Sequence, residues 1–514
     1  MKTLPLEAIR KLEESAHLAL KSGEPSLMEK ASRRCAELIF AFQQKHKALA
    51  EYPFVVLAGR GNNGGDGILC AAYLNLFYSC KISVYSLQSP AEMSPEIRCH
   101  FCNLPPDVKF RCVKKITDLP DLKSPCIIID ALLGIGFAGE LRSLMKEIIE
   151  KVNNSGNPVV SIDIPSGIEC DSGRGSDGVF ADLTITVGAE KKGLYLSDGR
   201  IHSGKVQFAD IGFDYSKFSA GKSEFEVIHK ESLKHIFNRK KFEPYKNNNG
   251  RLLIAGGSEL YPGAVVLAIN GANAAGCGLL TAVIKKRPFS FLPSNVIVRD
   301  FSMPGEKNFT AADGEKLTVL AMEQDCIVFG PGVTANSDIA EVLKILLALP
   351  GKMVLDADAL NTIAMFPEIW EYKSHSNIVI TPHPGEAKRL AQAFKIDNFE
   401  KLMRHEQVKI LAQKMQCTVV LKGDKTLTAS PDGRITVNPA GSYALSKGGS
   451  GDILSGVIGA LLAGNSTVDI TELAAAGVFL HSSGADHIAQ SRSAFDINLL
   501  PQGIGSFIDS ITIF

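Results

Sequence analysis

Cys126-Ile127-Ile128-Ile129-Asp130-Ala131-Leu132-Leu133-Gly134-Ile135-Gly136 is a β-branched run that ends on a carboxylate and turns through glycines. A continuous apolar run, rather than an alternating one, marks a strand buried on both faces. The pattern recurs at Phe54 to Ala58, Ile82 to Tyr85 and Val159 to Asp163. It returns at Arg251 to Ala255, Cys326 to Phe329, Met353 to Asp356, Asn377 to Ile380 and Thr418 to Leu421. Helical patterns separate these runs. Buried strands joined by helices predict an α/β protein with parallel, doubly wound sheets in three layers.

A chain of 514 residues suits two domains of generous size. A polar, basic stretch from His229 to Asn249 interrupts the strand pattern, which restarts at Arg251. This places one domain over residues 1–220 and a second over 225–514, with the junction within 215–250. The 55 basic residues equal the 55 acidic ones, which excludes a broad surface for nucleic acid or anionic membrane. The N-terminus carries charges every few residues and does not read as a secretory signal. The longest apolar-rich run, Ile453 to Gly464, is too short to span a bilayer. A cytoplasmic protein without a membrane partner is expected. The 11 cysteines are scattered. Cys99 and Cys102 form a lone CxxC without a second pair at zinc spacing, so reduced thiols are the expected state.

In the first half, Gly59-Arg60-Gly61-Asn62-Asn63-Gly64 fits GxGxxG between a strand and a helical stretch. Asp66 argues against a bound pyrophosphate, because its charge would oppose one. The strand near Ile82 also ends without an acidic residue for a ribose. The loop then binds something polar through backbone N–H groups and the Asn62 and Asn63 amides; tight strand–helix packing alone is the other reading. Asp130 and Asp163 both end strands, at the edge where open α/β sheets bind ligands. Asn63, Asp130 and Ser166 offer hard oxygen ligands to a cation. Helix capping is the plainer explanation of a strand-ending aspartate.

These motifs, GNNGGDG (61–67), DALLGIG (130–136) and SIDIPSG (161–167), resemble the NAD(P)H-hydrate epimerases over about residues 1–215. The resemblance implies a Rossmann-like domain. It implies that Asn62, Asn63, Gly64, Gly65 and Asp66, and Gly134, Ile135, Gly136, Phe137, Ala138, Gly139 and Glu140, contact hydrated NAD(P)H. It implies potassium at Asn63, Asp130 and Ser166, and Asp163 as a catalytic residue, the acidic one near the reacting centre. Arg60 stands where the family usually has proline.

In the second half, Lys447-Gly448-Gly449-Ser450-Gly451-Asp452 precedes an apolar helical stretch. N–H groups at a helix N-terminus attract anions, and glycine lets phosphate oxygens approach the main chain. Asp452 is placed to accept a proton from a hydroxyl attacking a phosphate; capping is the alternative. His383 lies in a stiff turn between two prolines. Lys422-Gly423-Asp424-Lys425-Thr426 suits a nucleotide phosphate or ribose, or is a solvated hairpin. The chain lacks GxxxxGK[ST]. GGSGD resembles the anion turn of ribokinase-like kinases. With YPGA, GPG, VLDADALN, TPHPGEA and KGDKT in order, residues 225–514 resemble the ADP- or ATP-dependent NAD(P)H-hydrate dehydratases.

That resemblance implies that Gly263, Gly332, His383 and Asp452 contact hydrated NAD(P)H. It gives Lys422, Gly423, Asp424, Lys425, Thr426 and Gly451 to the adenine nucleotide, and Asp452 the role of base. Together the halves imply repair of hydrated NADH and NADPH (NADHX and NADPHX). One half epimerises; the other dehydrates the S form through a phosphorylated intermediate, with Mg²⁺ and ADP, or ATP, as co-substrate. A homo-oligomer is expected. A ribokinase-like kinase of a small hydroxylated metabolite, and a non-catalytic nucleotide sensor, are the alternative readings.

Overall fold

A computed structural model describes residues 1–215, 225–237, 249–286, 292–441, 443–489 and 495–511. Most of the junction expected between 215 and 250 lies outside the described residues. The chain divides into two compact units, Lys2–Ser223 and Glu224–Phe514, with Met1 grouped in the second.

The first unit is built on seven parallel strands: β1 (Phe54–Ala58), β2 (Ile82–Ser86), β3 (Lys109–Cys112), β4 (Ile127–Ala131), β5 (Val159–Ile162), β6 (Leu183–Val187) and β7 (Lys205–Ala209). Their order is β3-β2-β1-β4-β5-β6-β7. The chain works outward from β1 to β3, then crosses to the other side of β1. The switch point lies between β1 and β4, where a crevice opens at the carboxyl ends. Burial explains the sequence pattern. Phe54, Val56 and Ala58 turn to one core with the helices Leu27–Lys45 and Asn62–Tyr78, and Val55 and Leu57 to another with Ser143–Asn153. The edge strand β3 alternates exposed and half-buried residues instead.

The second unit contains β8 (Phe225–Val227), β9 (Arg251–Gly256), β10 (Leu279–Ile284), β11 (Val296–Asp300), β12 (Cys326–Phe329), β13 (Lys352–Leu355), β14 (Ile378–Ile380), β15 (Thr418–Leu421), β16 (Leu427–Ala429) and β17 (Ile435–Val437). The order is β11-β10-β9-β12-β13-β14-β15-β16-β17-β8. The switch point here lies between β9 and β12. The sheet is not parallel throughout: β15, β16 and β17 pair antiparallel. Lys422-Gly423-Asp424-Lys425-Thr426 is therefore the hairpin between β15 and β16.

Two helices of this unit touch backbone to backbone, Ala264–Ala274 and Ser450–Ala463. A Cβ at Gly456 would fall 1.8 Å from the Ala268 carbonyl oxygen, and one at Gly271 2.2 Å from that of Ile453. Gly456→Ala must push the helices apart, and is expected to destabilise this unit by about 3 kcal/mol. Trp370, the chain's one tryptophan, is buried in this unit. A urea titration read by its fluorescence checks the midpoint. Among the described residues no helix is long and apolar enough to cross a membrane.

Candidate active sites

In the first unit the helix Asn62–Tyr78 starts inside the glycine motif, not after it. The motif's glycines serve packing: a Cβ at Gly64 would lie 2.1 Å from the Gly59 carbonyl oxygen, and one at Gly65 2.8 Å from Ile97 and Met28 side-chain atoms. Around that helix start lies a cavity of about 1140 Å³. Its lining comes from the carboxyl ends of six neighbouring strands, β3, β2, β1, β4, β5 and β6, and from the helices Leu6–Ala19 and Leu27–Lys45. Those strand ends span about 24 Å at the usual strand spacing.

Asn62, Asn63, Asp66, Gly134, Ile135, Gly136, Phe137, Ala138, Glu140 and Asp163 all reach this cavity. Gly64, Gly65 and Gly139 do not. The Gly139 N–H instead donates to Glu169 Oε1 at 3.1 Å.

Asp130 is fully buried at the end of β4. It accepts from Ser161 Oγ at 2.8 Å, the Ser166 N–H at 2.9 Å and Ser166 Oγ at 2.5 Å. Burial pushes its carboxyl up, and the Ser166 bonds pull it back. Asn63 Nδ2 donates to the Leu133 carbonyl at 2.9 Å. Its buried Oδ1 has no hydrogen-bond partner among the described residues. An orphaned carbonyl beside a buried carboxylate and a hydroxyl, all oxygen, fits a hard cation.

Asp163 ends β5 in the left-handed region, with φ 74. Its Oδ1 lies 2.6 Å from Lys191 Nζ. Lys191 carried no signal in the sequence: in Ala189-Glu190-Lys191-Lys192-Gly193 nothing tells which lysine turns inward.

In the second unit a cavity of about 520 Å³ is lined by His383, Lys422, Gly423, Asp424, Lys425, Thr426 and Gly451, among others. One wall is the start of the helix Ser450–Ala463, whose N-cap Gly449 has φ 89. No side chain caps this end, so its first N–H groups are available to an anion. Lys422 Nζ stands 3.3 Å from where a Gly451 Cβ would be, close enough that only glycine leaves the approach clear.

The same ammonium pairs with Asp356 Oδ1 at 2.7 Å and lies 3.9 Å from Glu386 Oε2. Asp452, Asp356 and Glu386 surround it electrostatically. Burial, then the Asp356 charge, pushes the Asp452 carboxyl up to about 7. Burial likewise raises Glu386 to about 7.

His383 caps the helix Pro384–Ala393: Nδ1 accepts the Gly385 N–H at 3.0 Å, which leaves the ring proton on Nε2. Burial and the Lys422 charge hold the ring below the usual histidine range. It caps a helix and lines the cavity at once. Gly263 and Gly332 do not reach this cavity. Gly263 is the N-cap of the helix Ala264–Ala274 and Gly332 lies just beyond β12, where its Cβ would fall 2.4 Å from the Tyr261 carbonyl oxygen.

Asp356, Glu386 and His481 were not singled out from the sequence. Asp356 had the signal that marked Asp130 and Asp163, an aspartate closing a buried strand. His481 had none; its Nε2 meets the Ser450 carbonyl at 2.9 Å, and burial lowers it to about 4.

Residues 24–193 match the family model for the YjeF-related protein N-terminus, and residues 252–508 that for NAD(P)H-hydrate dehydratase. The bifunctional NAD(P)H-hydrate repair enzyme Nnr of Coxiella burnetii is 31% identical, covering 94% of both chains. Those of Archaeoglobus fulgidus and Escherichia coli are 32% and 30% identical, covering 77% and 73% of this chain and 76% and 70% of theirs. A ribokinase-like superfamily protein of Enterococcus faecalis aligns with a TM-score of 0.48 at 22% identity, covering 57% of this chain and 98% of that one. Two family models in tandem and a relative matched nearly end to end give one conclusion: the chain belongs to the bifunctional NAD(P)H-hydrate repair enzymes, which join an epimerase to a dehydratase.

Proposed function

We propose that the first unit interconverts the R and S forms of hydrated NADH and NADPH, and that the second dehydrates the S form with ADP as phosphoryl donor. ATP is the alternative donor. The observation that carries the dehydratase half is an uncapped helix start and Lys422 lining one cavity, with Asp452 in that helix's first turn within the electrostatic reach of Lys422.

The chemistry follows from that arrangement. Lys422 and the N–H groups of the helix start hold the nucleotide's phosphates, and magnesium enters with them as part of the substrate. Asp452 takes the proton of the added hydroxyl as its oxygen attacks the terminal phosphorus, and the bond from that phosphorus to the bridging oxygen breaks, releasing the nucleotide one phosphate shorter. The phosphorylated carbon then loses phosphate, expelled by the lone pair of the ring nitrogen. Loss of a ring proton restores the dihydropyridine. The test is to give purified protein acid-hydrated NADH with ADP or with ATP. Recovery of dihydropyridine absorbance is expected with nucleotide; stable accumulation of a phosphorylated product would instead mark a kinase.

Asp452 must be ionised to act. Its carboxyl at about 7 sets the expected profile: kcat/KM for dehydration falls about tenfold per pH unit below pH 7, and levels above it.

In the first unit, potassium at Asn63, Asp130 and Ser166 would offset the Asp130 charge and hold the loop after β4. Asp130→Asn is expected to abolish any dependence of epimerisation on potassium over sodium. Epimer ratios read by chromatography in the two salts check this.

A further inference from the structure

The first cavity is served by a buried cation that no step above uses. Lys191 is fully buried. Its Nζ meets Asp163 Oδ1 at 2.6 Å, Thr186 Oγ1 at 3.0 Å, and the Val187 and Ala189 carbonyls at 2.9 and 3.0 Å. Four oxygens around three N–H groups leave this ammonium nothing for a ligand. Asp163 Oδ1 is thereby occupied, and it also takes the Val187 N–H at 3.3 Å. Oδ2 is the oxygen left for the cavity that Asp163 lines. The backbone there, at φ 74, is strained for a non-glycine residue and persists only where neighbours dictate it.

Asp66 lines the same cavity without such a partner. Among the described residues it forms no ion pair; Ser32 Oγ reaches it at 3.5 Å. Asp163, Glu13 and Glu96 act on it with like charge. Burial, then those charges, holds its carboxyl well above the usual range. Two carboxyl groups in one pocket whose surroundings differ this way divide into an acid and a base.

We propose that Asp66 donates and Asp163 accepts the proton in epimerisation, and that Lys191 positions Asp163. This rests on the epimerase reading of the pocket. The added hydroxyl sits on the carbon next to the ring nitrogen. Asp66 gives that hydroxyl its proton, the C–O bond breaks, water departs, and the nitrogen lone pair closes a C=N⁺ bond. Water returns to the opposite face and a new C–O bond forms. The C=N⁺ electrons go back to nitrogen, and Asp163 takes the released proton. Proton exchange through solvent resets the pair.

The test uses the full chain, epimer-pure hydrated NADPH and no nucleotide. Epimer ratio is read by chromatography, and oxygen uptake from heavy-oxygen water by mass. Wild type is expected to take up one heavy oxygen per inversion. Asp66→Asn is expected to lower kcat at least about a hundredfold with KM little changed, and oxygen uptake equally. Lys191→Met is expected to match it, and Lys191→Arg to recover most of the rate. Far-ultraviolet circular dichroism of the full chain, with two thermal transitions as in wild type, reports that each variant is folded in both units. Should Lys191→Met not fold, Asp66→Asn decides. Wild-type kcat in Asp66→Asn, inversion without heavy oxygen, or a folded Lys191→Arg as slow as Lys191→Met would overturn the proposal. A wild-type chain that does not speed inversion at all sinks the epimerase reading itself, which is a separate result.

Discussion

Asp452→Asn is expected to lower kcat for nucleotide-dependent dehydration about a thousandfold, with nucleotide affinity by calorimetry within about twofold. The argument is local. Asp452 sits in the first turn of the helix Ser450–Ala463 but does not cap it; Gly449 holds the cap position and no side chain bonds there. Asparagine therefore removes no structural bond. What it removes is a base whose carboxyl stands at about 7, raised by burial and by Asp356. A base near working pH combines a useful ionised fraction with a real thirst for the proton. The phosphate-holding groups, Lys422 and the helix start, stay in place, so binding should survive while the chemical step fails. A variant keeping more than about a tenth of wild-type kcat would remove Asp452 from the mechanism. Loss of affinity equal to loss of rate would make it a binding residue only.

The strands that carry the sites were legible because burial on both faces leaves an uninterrupted apolar run. The buried β6 and β10 were harder to see, since threonines break Leu183–Val187 and Leu279–Ile284. The edge strand β3 and the short antiparallel β16 and β17 have their identity from neighbours, not from their own pattern. Helix starts were misjudged where glycines lay. Gly64 reads as a loop residue, yet it is helical, and it is glycine because the Gly59 carbonyl leaves no room for a Cβ. Asp130, Asp163 and Asp452 could be singled out because each stands beside a glycine-rich turn at a strand end or helix start. Lys191, which pairs with Asp163, could not. Lys422 was singled out with its hairpin, but it meets Asp356 across 66 residues of chain, and only packing shows that pair.

Lys422→Met is expected to cut kcat/KM for the nucleotide about a thousandfold, and to move the pH ranges over which activity and stability change to the alkaline side. The ammonium answers to three carboxylates, Asp356, Glu386 and Asp452. It pairs with Asp356, whose side chain is 2% exposed. Breaking a buried pair from one side typically costs about 3–5 kcal/mol, because the remaining charge is stranded. Here the stranded charges can take up protons. Lys422 lowers both Glu386 and Asp452, so without it both rise above about 7. Two effects follow in sign. The base needs higher pH to ionise, so the acid limb of kcat/KM moves to the alkaline side. Folded carboxyls raised above their unfolded values bind more protons than the unfolded chain. The stability they contribute is present below about pH 4 and is lost as pH rises through their folded values. Lys422→Met should therefore grow more stable on acidification from pH 8 to pH 6, while losing activity over the same range. Asp356→Asn removes an influence that raises both groups, so its activity limb should move to the acid side. Thermal midpoints and kcat/KM measured across that range for the two variants check this. Opposite displacements identify the Asp356–Lys422 pair as what tunes the base, and shifts in the same direction would rule it out.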